Sequence, residues 1–279
     1  MQQSSGVTVE CERAHRGGGT NPSGFVPAYT IASLVTDKRQ YRDMRDSMEK
    51  GGFTTQDCEY LFIDNSEGNQ CNAYTGLNLL LGTASGKRIV FCHQDVLLID
   101  DGRRELDARL EELTEFDPYW GVAGNAGGIS WKRYAFRISD PNHDNRSSGP
   151  FPARVQSVDE NFFILRRECR LGFSRDLDGY HMYGADICLV ADILGWNSYV
   201  IDFHLRHLSA GKVDAEFYRS REAFTRKWTR ALRKRALQTT CTYVMPGYDK
   251  TGAFIHLQSN SIRRRLKRKI ARIMSLLGK

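Results

Sequence analysis

The first residue in this sequence that could do chemistry is an acid set inside an apolar run: Asp95, in KRIVFCHQDVLLI. Burying a carboxylate without a partner is costly, so Asp95 needs a cation, several donors or an exposed place at a strand end. Two readings are open. In one, Asp95 caps a turn after the strand; in the other, it holds a divalent metal that bridges the phosphates of a nucleotide. Hard cations such as Mg2+ and Mn2+ prefer carboxylate oxygens and take only one or two from the protein. His204 and His207, in DFHLRHLSAG, stand three residues apart after another apolar run. They read as ordinary loop histidines, or His207 completes the coordination of a metal held by Asp95. The Ser-Ala-Gly that follows offers a loop with free backbone N–H groups for phosphate.

Two further groupings carry acids. Asp64 and Asn65 close the apolar run EYLFIDN, where a carboxylate can accept from a ribose hydroxyl or a base N–H, although Asp-Asn is also an ordinary turn pair. Asp37, after an earlier run, reads as a helix N-cap. In HMYGADICL, Asp186 begins an otherwise apolar helical segment, where the helix dipole favours an acid. The neighbouring Tyr180, His181, Tyr183 and Gly184 also fit a sugar pocket, in which rings cover C–H faces and Asp186 takes a hydroxyl proton.

The elements that position these residues alternate. YTIASLVTD reads as a strand and KRQYRDMRDSMEKGG as a helix stopped by Gly51 and Gly52; EYLFIDN is a second strand, NAYTGLNLLLGTA a second helix, and KRIVFCHQDVLLI a third, near-continuous strand. Strands alternating with helices, with polar residues at the strands' carboxyl ends, imply an α/β fold with a parallel sheet and a ligand crevice outside those ends. A charged helix follows near residues 104–115. The pattern then changes: WGVAGNAGG reads as a strand entering a Gly-rich turn, RYAFRISDPNHDNRSSGPFP as a turn-rich excursion, ARVQSVDENFFILRR as a returning strand, and FYRSREAFTRKWTRALRKRAL as a long basic helix. Residues 1–27, mixed in Ser, Gly and charge without periodicity, read as a flexible leader.

Composition bounds the class. The chain has 279 residues, 41% hydrophobic and 26% charged, which excludes collagen-like, low-complexity and multi-span membrane proteins. Its seven cysteines are scattered and never form a CxxC pair, which argues against a disulfide framework or zinc site and for a reducing, cytoplasmic setting. The net charge of +7 is an appendage: residues 261–279 carry eight Lys and Arg and no acid, so the body is nearly neutral. On a helix, Ile262, Leu266, Ile270, Ile273 and Leu277 form one apolar stripe among those cations. Such a helix docks on its own domain, binds nucleic acid or lies on an anionic bilayer. The absence of stacking aromatics disfavours nucleic acid, and charge plus stripe favours peripheral attachment to the membrane's inner face.

Taken in order, IDN (63–65), FCHQDV, VDENFFILRR, HMYGADICL, DFHLRHLSAG and FTRKW resemble glycosyltransferase family 2 of the GT-A fold, in its subgroup typified by a streptomycin-biosynthesis protein. The resemblance spans roughly residues 29–228. It implies a GT-A (nucleotide-diphospho-sugar transferase) domain over 28–228, a Rossmann-like mixed sheet flanked by helices, followed by a basic helical extension over 229–279. It also implies roles: Asp64 and Asn65 at the nucleotide, His93 beside the ribose, Asp95 and His207 on the metal, Mn2+ or Mg2+. Asp186 is then the catalytic base, and Asp159, Glu160, His181 and Tyr183 border the acceptor. The expected reaction moves a sugar from a nucleoside-diphosphate sugar to a hydroxyl of a glycan or lipid-linked acceptor, with inversion. The sequence departs from the family at His93, which replaces the first acid of Asp-x-Asp, and at Tyr74-Thr75, where the family often has Tyr-Asn. Two other classes stay open: a nucleotidyltransferase, against which LVTDKRQYRD offers no glycine, and a non-catalytic nucleotide- or membrane-binding module.

Overall fold

A computed structural model of the chain describes residues 6–12, 26–209, 211, 213–232, 237–238 and 243–244. The chain divides into two compact units, residues 1–224 and 225–279. The first has the expected α/β character. Its elements are β1 (Glu10–Glu12), β2 (Tyr29–Val35), α1 (Lys38–Lys50), β3 (Cys58–Asp64), α2 (Ala73–Thr83), β4 (Arg88–Cys92), β5 (Val96–Leu97), α3 (Arg103–Phe116) and β6 (Trp120–Gly124). There follow β7 (Ala126–Ser130), β8 (Arg133–Asp140), β9 (His143–Ser148), β10 (Ala153–Arg154), β11 (Ser157–Val158), β12 (Phe162–Arg166), α4 (Tyr183–Ile193), β13 (Asn197–Val200), β14 (Leu205–His207) and α5 (Ala215–Ala231), within which the division falls.

The main sheet has the order β1-β3-β2-β4-β12-β6-β13-β10. Strands β3, β2 and β4 are parallel, β12 runs antiparallel to both β4 and β6, and β13 returns parallel to β6. Both faces are covered, so the central strands are apolar on both sides. Leu61, Ile63, Ile89, Phe91, Phe163 and Leu165 join Leu77 and Leu80 of α2 and Ile187 of α4 in one core layer. Their sequence neighbours Tyr60, Phe62, Val90, Phe162 and Ile164 point the other way, onto Met44 and Met48 of α1 and Leu106 and Leu110 of α3. Each such fully buried side chain contributes roughly 1.5–3 kcal/mol. A second sheet, β11-β7-β8-β14-β5 with β9 on β8, sits beside the first.

Three expectations are corrected. The supposed leader contains β1, paired antiparallel with β3, and Val7 and Val9 pack on the core; the alternation in VTVEC makes this strand, and residues 1–5 and 13–25 lie outside the described residues. The Gly-rich "turn" AGG is part of β7, and the turn-rich excursion is the β8–β9 hairpin. The third run divides into β4 and β5 at His93, Gln94 and Asp95, where polar residues interrupt it as expected. The basic helix stops at Ala231; within residues 225–279, β15 (Leu237–Gln238) and β16 (Tyr243–Val244) pair antiparallel, as the Thr, Tyr and Val of that stretch favour. The amphipathic tail, residues 261–279, lies outside the described residues. No described helix is long and apolar enough to cross a membrane.

Candidate metal and nucleotide site

The parallel strands β2, β3 and β4 end at Val35, Asp64 and Cys92 along one sheet edge, and antiparallel β12 begins there, with Phe162 opposite Cys92. After Cys92 the chain turns. The His93 carbonyl accepts from Val96 N at 3.3 Å, and His93 N donates to the Asn161 carbonyl at 2.9 Å. Gln94 clamps this turn to the β2–α1 connection: its Oε1 accepts from Thr36 N at 2.7 Å and Asp37 N at 2.9 Å, and its Nε2 donates to Thr36 Oγ1 at 2.9 Å. Sequence reasoning missed Gln94, which carries no signal of its own. Asp37 is the N-cap expected, accepting from Arg39 N and Gln40 N.

Register then brings His207 in. β14 pairs antiparallel with β5 so that His207 lies opposite Val96, the residue after Asp95. His207 Nε2 is 3.3 Å from Asp95 Oδ1, and His93 Nδ1 is 4.0 Å from the same oxygen. One ligand atom from each of His93, Asp95 and His207 falls within 4.8 Å of the others, a spacing at which three donors can meet on one cation. Burial alone would raise the Asp95 carboxyl, but the two imidazoles and Ser209 override it and bring its pKa to about 2. Asp95 is therefore ionised at neutral pH, as a metal ligand must be.

His93, expected beside a ribose, is the third member of this cluster. Its Nε2 lies 2.7 Å from Tyr183 Oη, and the Tyr183 hydroxyl donates in turn toward the Glu160 carbonyl at 3.5 Å. The tautomer that carries its proton on Nε2 leaves the Nδ1 lone pair on the Asp95 side. Enclosure and the facing His207 ring lower the His93 pKa, which favours the neutral, ligating form. Tyr183 thus holds the His93 ring, where the sequence reading placed it at the acceptor.

A crevice of about 220 Å3 opens beside the cluster, lined by His93, Gln94, Asp95, Glu160, Tyr180 and Tyr183 among others. Glu160 precedes β12 at the same sheet edge, and its Oε1 accepts from Gly184 N at 3.2 Å. Burial first, and the charge of Asp159 second, push its carboxyl up to about 8 against the pull of backbone N–H groups at the start of α4. Gly184 is required there, since a Cβ would collide with the Val158 carbonyl. Asp159 is exposed and lines a separate cavity on the β7–β8 side.

The other expected site residues are occupied differently. Asp186 is wholly buried: Oδ2 accepts from Ser174 N at 2.8 Å and Oδ1 from Ser174 Oγ at 2.7 Å. It ties the loop before α4 to that helix and presents no oxygen to a substrate, so the catalytic-base assignment is corrected. Asn65 is also buried and turns into its own loop, accepting from Gln70 N and donating to the Cys71 carbonyl. Asp64 stands at the sheet edge as expected, held by Lys38 Nζ at 2.7 Å and by Ser66, with Lys38 foremost in lowering its pKa to about 2. His181 packs edge-on to Phe217.

His204, three residues before His207, is 2% exposed at its side chain and bridges Asp100 Oδ2 at 3.0 Å and Ser139 Oγ at 2.9 Å.

No family model matches the chain. Among solved structures, A197 from STIV is similar over 67% of this chain and 86% of its own, at 13% identity and a TM-score of 0.39, too low to inform the site. A protein of Fuscovulum blasticum named "ATP synthase subunits region ORF 6" is 40% identical over 209 residues, which cover 72% of this chain and 84% of that protein. At that identity and coverage, the chain belongs to the family of this Fuscovulum blasticum protein.

Proposed function

We propose that the chain is a metal-dependent glycosyltransferase of GT-A type, which moves a sugar from a nucleoside-diphosphate sugar to an acceptor hydroxyl. The observation that carries the reading is the meeting of His93, Asp95 and His207 at the carboxyl edge of β2, β3 and β4, with Glu160 across the crevice. Open α/β sheets bind ligands outside the carboxyl ends of their strands. Two imidazole nitrogens and one carboxylate oxygen form a mixed donor set, better matched to Mn2+ than to Mg2+, which prefers oxygen alone. When bound, the cation supplies charge neutralisation of the leaving diphosphate.

The chain's own residues do the rest. His93, Asp95 and His207 hold the cation, Tyr183 fixes the His93 ring, and Asp64 accepts from the nucleoside. Glu160, in its ionised form, removes the proton of the attacking hydroxyl, in place of the buried Asp186. A single displacement at the anomeric carbon then inverts configuration. Two imidazoles and a carboxylate also serve non-haem iron oxygenases. Nucleotide binding separates these readings. The experiment is a thermal-shift titration with UDP and GDP, with and without Mn2+, followed by a transfer assay with a panel of sugar nucleotides. Stabilisation by diphosphate that needs Mn2+ is expected, because a ligand of the folded state alone raises its stability. Mn2+-independent or absent binding contradicts the proposal.

A further inference from the structure

We propose that the outward face of the β7–β8–β9 ribbon is the acceptor subsite and that it takes a carbohydrate chain; this rests on the transferase reading above. Strand β8 turns Tyr134 and Phe136 to one face at period-two spacing and buries Ala135 and Ser139 on the other, while Ile138 packs on the core. Tyr134 is 60% exposed, and Trp131, at the hairpin that precedes it, is 86% exposed. An outward row of rings on a ribbon is not core, and the fold alone gives no reason for it.

Tyr134 and Phe136 border a cavity of about 370 Å3, whose wall also holds Arg146, Ser157 and Asp159. This lies within the range of small-ligand pockets, roughly 300–1,000 Å3. The Arg146 guanidinium sits 5.2 Å over the Phe136 ring, with Nη1 4.0 Å from Asp140 Oδ2, and its planar fork carries further N–H groups that suit hydroxyls. Ring faces together with a guanidinium, a carboxylate and a hydroxyl match a sugar, which offers C–H faces and a rim of hydroxyls. The Asp159 carboxylate disfavours a nucleic-acid backbone, and Arg146 and Asp159 break the apolar continuity that a lipid surface needs.

Position supports the same occupant. Asp159 lines the ribbon cavity and its neighbour Glu160 lines the crevice, so the segment before β12 borders both spaces. A chain whose terminal hydroxyl reaches Glu160 continues over the ribbon. β8 also pairs with β14, Ile138 opposite Leu205, so the platform and His207 belong to one sheet.

The test is saturation-transfer NMR on the full chain with chitotetraose, maltotetraose and tetragalacturonate, in parallel with UDP and GDP binding in Mn2+. The proposal expects transfer to ring C–H protons of at least one tetrasaccharide, a fall of at least tenfold in Tyr134→Ala, and recovery in Tyr134→Phe. Diphosphate binding stays unchanged in both variants. No signal from any tetrasaccharide, undiminished signal in Tyr134→Ala, or displacement of the bound tetrasaccharide by an oligothymidylate or by anionic vesicles overturns it. Absent diphosphate binding with a Tyr134-dependent saccharide signal rejects the transferase reading and still supports the platform.

Discussion

His204 and His207 leave the same short segment three residues apart, each meets an aspartate, and the two do opposite work. Around His204, every polar atom is spoken for. Asp100 takes one ring nitrogen, Ser139 Oγ meets the other, and the same hydroxyl accepts from Asn145 N at 2.8 Å. The order Ser139–His204–Asp100 has the form of a nucleophile relay, yet Ser139 is 1% exposed and no substrate carbonyl can approach it. It is a brace, fixing the β8–β9 hairpin to the start of β14. Around His207 the same kind of pairing is joined by a third group: His207 Nε2 lies 3.3 Å from Asp95 Oδ1 and 3.1 Å from Ser209 Oγ, and His93 Nδ1 approaches the same carboxylate oxygen, with Asp95 and His93 lining an open crevice. Residue type and pairing are alike in the two places; a third ligating group and access distinguish them.

The largest expected effect separates the two histidine–aspartate groups outright. Asp95→Ala should abolish Mn2+-linked diphosphate binding while the fold survives, since the carboxylate lost lies at the sheet edge, outside the two core layers. Calorimetry showing wild-type affinity in Mn2+ would contradict the assignment. Next, Glu160→Gln should lower turnover about 10²-fold or more with donor affinity nearly unchanged, as loss of a general base does. Equal losses in both would mark Glu160 as a binding group. The same substitution changes the pH dependence of stability. The Glu160 carboxyl titrates near 8 in the folded chain and near the usual ~4.3 when unfolded, so the fold holds this proton more tightly. Its contribution is full below about pH 4 and is lost as pH rises through about 8; Glu160→Gln should flatten that decline in a melting series.

On the braced side, His204→Ala should cost about 1–3 kcal/mol by leaving Ser139 and its neighbours unsatisfied, read by denaturant unfolding, with metal-linked binding intact in the folded fraction. Asp186→Asn should fall in the same class, about 1–2 kcal/mol, with donor binding and turnover retained. A turnover collapse in a stable Asp186→Asn protein would return that residue to the chemistry. The smallest effect is His207→Ala, a weakening of metal binding of about tenfold, because water or a phosphate oxygen can take the vacated position.

Much of the sheet edge was legible in the sequence, because an acid in an apolar run, as at Asp95, has few explanations and a strand-end Asp64 has a natural place. The strand–helix alternation likewise announced the α/β half. What was not legible depends on partners distant in sequence. Asp186 has the local pattern of an active acid; Ser174, twelve residues earlier, makes it structural. Tyr183 reads as an aromatic near a sugar until its hydroxyl is seen against His93, ninety residues away. β1 is too short to stand out beside Gly- and Ser-rich neighbours, and the ribbon reads as turns because β9, HDNRSS, is polar on both faces.

Pulsed electron paramagnetic resonance on the Mn2+-loaded chain tests the central claim most directly. The account predicts one tightly held Mn2+ per chain with nitrogen couplings from two imidazoles, reduced to one in His207→Ala and absent with the bound ion in Asp95→Ala. A Mn2+ signal that lacks nitrogen coupling, or that is unchanged in both variants, would contradict it.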